Sequence, residues 1–323
     1  MKVPVKLGLF GVGLAALFTA SFATAGAVVP AQTAAAWTQS TEGHVMDSND
    51  TQPAASVKGL SMEQDGFLLG NVSSPGTAGQ EGTLSFTISD AKGKPVTDFE
   101  ASHDKKLHLI VVRTDGTQFR HVHPTMDAHG VWSLPWKWNA AGSYRVYADI
   151  VPAATGQNIT LTRTVQAAGE FTPATPAPAS AAETVDGYNV DLTGTLSASE
   201  HAMLTVSVSR DGKPVITLQP YLGSYGHLVA LREGDLAYLH VHPEGEEPRP
   251  GAISGPDVKF MTEAPTPGRY LLYLDFQVDG QVHTAEFVLN ATGTAAAQPA
   301  APGKSAGPTE SADPGESAGH SGH

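Results

Sequence analysis

The sequence predicts an all-β protein: two tandem Ig-like antiparallel β-sandwich domains flanked by disordered N- and C-terminal segments. Two observations predict it. Neither half of the chain shows a sustained helical period, and both show short alternating runs of β-branched and aromatic residues broken by Gly, Pro and Asp. The two halves also repeat each other segment by segment, so whatever architecture one adopts the other adopts too.

Taken in order, the chain opens MKVPVK and then runs through the apolar, small-residue stretch LGLFGVGLAALFTASFATAGAVV. Two lysines, an apolar core and Ala23-Thr24-Ala25 read as a secretory signal peptide over residues 1–31, cut after Ala25 or Ala31, with an uncleaved membrane anchor as the alternative. No second hydrophobic run follows, so no membrane span is expected after cleavage. Residues 32–56 are polar, Ala-rich and aperiodic, a disordered segment. Residues 57–167 form the first β-sandwich repeat, 168–185 a Pro/Ala linker, 186–290 the second repeat and 291–323 a low-complexity tail.

The repeat is legible in several places. LSFTIS at 84–89 matches LTVSVS at 204–209, and GKPV occurs at 93–96 and 212–215. LHLIVVR at 107–113 matches GHLVALR at 226–232, and FRHVHP at 119–124 matches YLHVHP at 238–243. GSYRVYADI at 142–150 matches GRYLLYLDF at 268–276, with the insertion that separates the copies falling in the stretch from Pro243 to Phe260. The acidic EGEEPRP at 244–250 inside it reads as an exposed loop.

Bulk composition excludes several function classes. The net charge of −13 becomes about −15 once Lys2 and Lys6 leave with the signal peptide, which argues against nucleic acid and anionic membranes as partners. With no cysteine there is no disulfide framework and no thiolate for metal chemistry. The remaining ligand types are His, Met, Asp and Glu.

The 13 histidines are not spread evenly. In KKLHLIVVRTDGTQFRHVHP, a two-residue turn at Asp115-Gly116 places His108 opposite His123 and Ile110 opposite His121. Period-two alternation then sets His108, His121 and His123 on one face, at cross-strand spacings over which imidazoles converge on one ion. A turn at Gly234-Asp235 does the same for His227, His240 and His242. One His-rich site per repeat is the expectation. Asp149 and Asp275, each inside an otherwise apolar strand, are candidates for a fourth ligand, an acceptor orienting a His ring, or a strand-end residue. Imidazole with an added carboxylate suits Cu(II), Zn or Ni, and all-His sites also hold Cu(I). The competing interpretation treats the rings as inherited core residues packed with aromatics such as Trp132, Trp136 and Trp138. His44, His129, His201, His283, His320 and His323 are scattered accessories.

With these residues in view, the chain resembles secreted Ig-like domains of bacterial metal handling, of the YtkA-like and copper-resistance type. It is similar above all to exported actinobacterial proteins with HLVALR and HVHP blocks. The resemblance rests on His227–Arg232 with Asp235–Pro243, on its echo at His108–Pro124, and on the G-x-Y-x-x-Y strand in both copies. It implies copper or another heavy metal in the cell envelope. A histidine at the mature N-terminus, common in copper-resistance sandwiches, is replaced here by Gly26 or Gln32. His-Val-His on a strand also looks like copper-zinc superoxide dismutase, without its cysteines or zinc loop. Gly234, His240, His242 and Glu246 match the first cupin motif, with no second motif following.

The function expected is an exported protein that binds or buffers copper first and zinc second, not an enzyme. Its partners would be the metal ion and an envelope metal transporter or sensor. The alternatives are an envelope interaction or adhesion module with structural His clusters, and a metallo-oxidoreductase.

Overall fold

Alternation becomes strand wherever every second residue finds a core. The computed structural model describes residues 57–198, 200–249 and 251–293, without the side chain of His240. The expected signal peptide, the segment to residue 56 and nearly all of the tail lie outside the described residues. The first repeat comprises β1 (Glu63–Gln64), β2 (Phe67–Leu69), β3 (Glu81–Ser89), β4 (Phe99–Glu100), β5 (Leu107–Arg113), β6 (Arg120–Val122), β7 (Thr125–Met126), β8 (Val131–Lys137), β9 (Gly142–Pro152) and β10 (Ile159–Ala167). The second comprises β11 (Ala182–Val185), β12 (Tyr188–Gly194), β13 (Leu196–Ser197), β14 (His201–Arg210), β15 (Lys213–Pro214), β16 (His227–Arg232), β17 (Tyr238–Pro243), β18 (Asp257–Glu263), β19 (Gly268–Val278) and β20 (Gln281–Thr292). No helix occurs among the described residues.

The first repeat is a sandwich of β1-β2-β3-β8-β7 against β10-β9-β5-β6, with β4 on β9. Leu84, Phe86 and Ile88 of β3 interleave with Leu107, Leu109 and Val111 of β5 and with Trp132 and Trp136 of β8. Among the described residues all strand–strand pairings are antiparallel except the short β13–β20 contact. In the second repeat β17 pairs with β16 through Tyr238–Leu239 and then with β18 through His240–Pro243. One strand thereby joins both sheets into a single ten-stranded ladder. Its counterpart in the first repeat is split into β6 and β7 around Pro124. Each HxH motif therefore sits on the strand that crosses between sheets.

Both repeats carry the tyrosine corner of Ig-like sandwiches: Tyr144 Oη donates to Ala140 O (2.7 Å) and Tyr270 Oη to Thr266 O (2.8 Å). The stretch read as linker contributes its last four residues to β11 and is tied down before that. Phe171 lies under the Arg113 guanidinium, and Ala174 N–H donates to Asp115 Oδ2 (2.9 Å).

The HxH register is the one the sequence implies, although the turns differ. Ile110 opposes His121 and Leu109 opposes Val122. In place of a two-residue turn, Arg113 N–H donates to Thr117 O (2.8 Å) across a three-residue loop. Gln118, at φ 58°, absorbs the odd residue and restores the register. In the second repeat Arg232 N–H donates to Ala237 O across a four-residue loop, and Ala230 still faces Leu239.

Every residue of β5 is buried. One of its faces fills the first core. The other, Ile110 and Val112 beside His108, packs on Val229 and Leu231 of β16 together with Tyr147, Tyr273 and Leu236. The contact is reciprocal: Tyr147 Oη donates to Leu236 O in the second hairpin and Tyr273 Oη to Gly116 O in the first, each at 2.6 Å. Phe119 stacks on Tyr273 at 4.1 Å. The two repeats thus clasp each other through matching strands and hairpin tips.

A Tyr273→Phe change removes one of these bonds and leaves the Gly116 carbonyl short of a partner. It should cost about 1–2 kcal/mol, read as a lower urea midpoint with an unchanged m value. An unchanged midpoint would show that the clasp adds nothing to stability.

Candidate functional site

The seam between the repeats continues from its apolar part into a group of imidazoles. His108 leaves β5 on the same face as Ile110, and His121 and His123 come from the crossing strand beside it. One ring nitrogen from each of His108, His121 and His123 lies within 4.8 Å of the others. His108 Nδ1 is 3.0 Å from His121 Nε2 and 3.2 Å from His123 Nε2.

Partners on the far side of two rings settle their tautomers. His108 Nε2 donates to Ser102 O (2.9 Å), so its Nδ1 carries the lone pair. His121 Nδ1 donates to Asp275 Oδ2 (3.0 Å), which leaves Nε2 bare in the neutral ring. With both rings neutral, two lone pairs face each other at 3.0 Å, with a third imidazole nitrogen beside them. A cation between them resolves this. A single proton serves one pair, whereas a metal ion takes all three nitrogens. Tetrahedral ligation at metal–nitrogen distances of about 2.0–2.1 Å puts nitrogens about 3.3 Å apart, close to the 3.0 and 3.2 Å found from His108 Nδ1 to the other two rings.

Electrostatics keep the rings in their ligating form. Burial, reinforced by His121, pulls His108 down to about 4 and His123 to about 2. Burial and then His121 bring His227 to about 3. These imidazoles are neutral at neutral pH, as coordination requires.

The second trio cannot be traced in full, because the His240 side chain lies outside the described residues. His227 opposes Asp275 across β16 and β19, as His108 opposes Asp149 across β5 and β9. Yet the His227 ring centroid lies 6.2 Å from that of His108 and 6.0 Å from that of His121. Asp275, 3% exposed, crosses the seam to orient His121, while its Oδ1 accepts from Thr284 Oγ1 (2.6 Å). Among the described residues, His227 and Asp275 of the second repeat thus join His108, His121 and His123 of the first in one cluster. The reason is the packing of β5 on β16, which turns the outward faces of both strands toward a common seam.

Asp149 Oδ1 accepts from Asn158 Nδ2 (2.9 Å) and Thr160 Oγ1 (3.0 Å). Burial raises its pKa against those bonds. It lines a cavity shared with His108 and His121 and is not among the groups that converge with the three nitrogens. His242 is exposed at the cavity rim, because its strand has by then left β16 for β18. The His240 backbone pairs with Glu263, and its side chain lies outside the described residues. Among the accessories, His283 bonds Asp186 (2.7 Å) and His201 meets Glu263 at the surface (3.7 Å). His44, His320 and His323 lie outside the described residues. Glu244 to Arg249 form no strand and are largely exposed.

His103 is the residue that sequence reasoning passed over. Its ring is 5.3 Å from His227 and 6.2 Å from His108. It occupies a turn, where strand periodicity carries no information about facing.

The three depressed imidazoles fix a pH dependence for the metal-free protein. Their folded pKa values lie below the unfolded value of about 6.5, so the unfolded chain binds more protons as the solution is acidified. Their stabilising contribution is complete above that pH and drains away toward pH 4 and below. Stability from urea unfolding should fall between pH 7 and pH 5, by at most about 1.4 kcal/mol per pH unit for each proton taken up. His227→Gln should flatten the slope, and an unaltered slope would mean that His227 is not held neutral.

No curated protein matches this chain. Similar solved structures include a DUF4426 family protein from Pseudomonas aeruginosa, at 13% identity and TM-score 0.23, over 34% of this chain and 94% of that one. Salmonella alpha-2-macroglobulin is matched at 17% identity and TM-score 0.25, over 75% of this chain, which spans only 15% of that protein's length. Fibronectin(III)-like modules of Clostridium thermocellum CbhA are matched at 12% identity and TM-score 0.21, over 71% of this chain and 95% of theirs. The family model described as Domain of unknown function (DUF8832) matches residues 63–169 and again 183–293. The chain belongs to that family and carries its domain twice.

Proposed function

We propose that the chain is an extracytoplasmic transition-metal-binding protein, copper first and zinc second, that holds its ion on His108, His121 and His123. The observation that supports this best is the pair of nitrogens on His108 and His121 that face each other at 3.0 Å, each ring held by an acceptor on its far side. A carboxylate behind a ligating imidazole raises its basicity and locks its orientation. The N-terminal sequence supports export. The partners that follow are the metal ion and an envelope transporter or sensor.

A second reading is an envelope interaction module in which the cluster only joins the repeats. It is favoured by the spacing at His108 Nδ1, since a proton on the facing Nε2 of His121 or His123 would satisfy that nitrogen without an ion.

Metal titration of the full chain separates the two. The metal reading predicts that His121→Ala and His123→Ala each abolish tight uptake at the trio. It also predicts that Asp275→Asn lowers affinity about 10- to 100-fold without changing the ligand set. The interaction reading predicts lower stability in these variants and no tight uptake in the parent chain.

A further inference from the structure

Beside His108 and His121 the repeats line a partly open cavity of about 220 Å³. His103 and His227 line it, one from each repeat, and the trio needs neither as a ligand. Their ring centroids are 5.3 Å apart. Two imidazoles sharing one tetrahedral ion, with metal–nitrogen bonds of about 2.0–2.1 Å, have centroids about 5 Å apart.

The nitrogens are available. His227 Nε2 donates to Tyr221 O and Leu222 O, both at 2.9 Å, which leaves Nδ1 with its lone pair. Its tautomer is set as that of His108 is, since Tyr221 is the counterpart of Ser102. Among the described residues neither nitrogen of His103 is hydrogen-bonded to protein.

The turn that carries His103 does not ask for histidine. Ser102 and Lys105 exchange two backbone hydrogen bonds (2.8 and 3.1 Å) around His103 and Asp104, both at positive φ (49° and 63°). Asn-Gly is the pair that suits such a turn, and the counterpart in the second repeat uses Leu222-Gly223. The turn accepts a leucine at the same place in the second repeat, so it does not require the histidine whose ring here lies beside His227. The Asp149 carboxylate lines the same cavity, with Oδ1 committed to Asn158 and Thr160. Lys58 lies close enough to act as its counter-charge in the metal-free chain.

We propose that this cavity holds a second transition-metal ion, ligated by His103 and His227 and faced by Asp149, making the seam a two-ion centre. The inference rests on the trio binding the first ion, and the test keeps the two claims apart.

The full chain is titrated with Cu(II), with bound metal counted by mass spectrometry after dialysis and the sites followed by electron paramagnetic resonance. The expected result is two tightly held equivalents with spin–spin coupling between them. His103→Asn, which suits the left-handed turn and so preserves the fold, should drop the count to one and remove the coupling. His227→Gln should do the same. Saturation at one equivalent in the parent overturns the inference, as does retention of two coupled ions in His103→Asn. His123→Ala tests the trio separately: if no equivalent is lost there, the first-site reading fails whatever His103 does.

Discussion

A strand buried on both faces leaves its polar side chains no water to turn to, and β5 is such a strand. One face closes the first sandwich. The other lies on the outward face of β16, so His108 and His227 must find partners inside the seam. Both do so through a backbone carbonyl of a neighbouring tight turn, Ser102 for one and Tyr221 for the other. That solution fixes which nitrogen is bare and so gives the seam its chemistry.

The clasp between repeats and the site are one arrangement. Tyr147 and Tyr273 fasten each repeat to the other's hairpin, while Asp275 fastens its own repeat to His121. Duplication made this possible because matching faces meet. It did not make the halves equivalent, since the crossing strand is continuous in one and broken at Pro124 in the other. The first repeat presents the converging nitrogens and the second supplies the carboxylate behind them.

Much of this was legible in the residues. Alternation and repeat spacing give the all-β class. A two-residue turn would place His121 opposite Ile110; the turn is longer, and the pairing survives because Gln118 takes up the extra residue and a one-residue slip would invert both faces of a buried strand. What the pattern does not contain is the partner of the second face. Apolar positions such as Ile110 on β5 and Val229 on β16 read as core in either case, so the meeting of His227 and Asp275 with the first repeat's histidines comes from packing between repeats. The role of Asp275 was within reach as an acceptor for a His ring, but not that the ring belongs to the other repeat. His103 was hidden in a turn. The available signal was a His-Asp pair at the place where the second copy has Leu-Gly.

The most direct test of the account is the X-ray absorption spectrum of the chain loaded with one equivalent of zinc. A site in the seam predicts a first shell dominated by three imidazole nitrogens at about 2.0–2.1 Å. It also predicts that the imidazole signal collapses in a His121→Ala, His123→Ala double variant. A shell of oxygen ligands, or an imidazole shell unchanged in the double variant, would contradict it and leave the cluster as the structural bolt between two sandwiches.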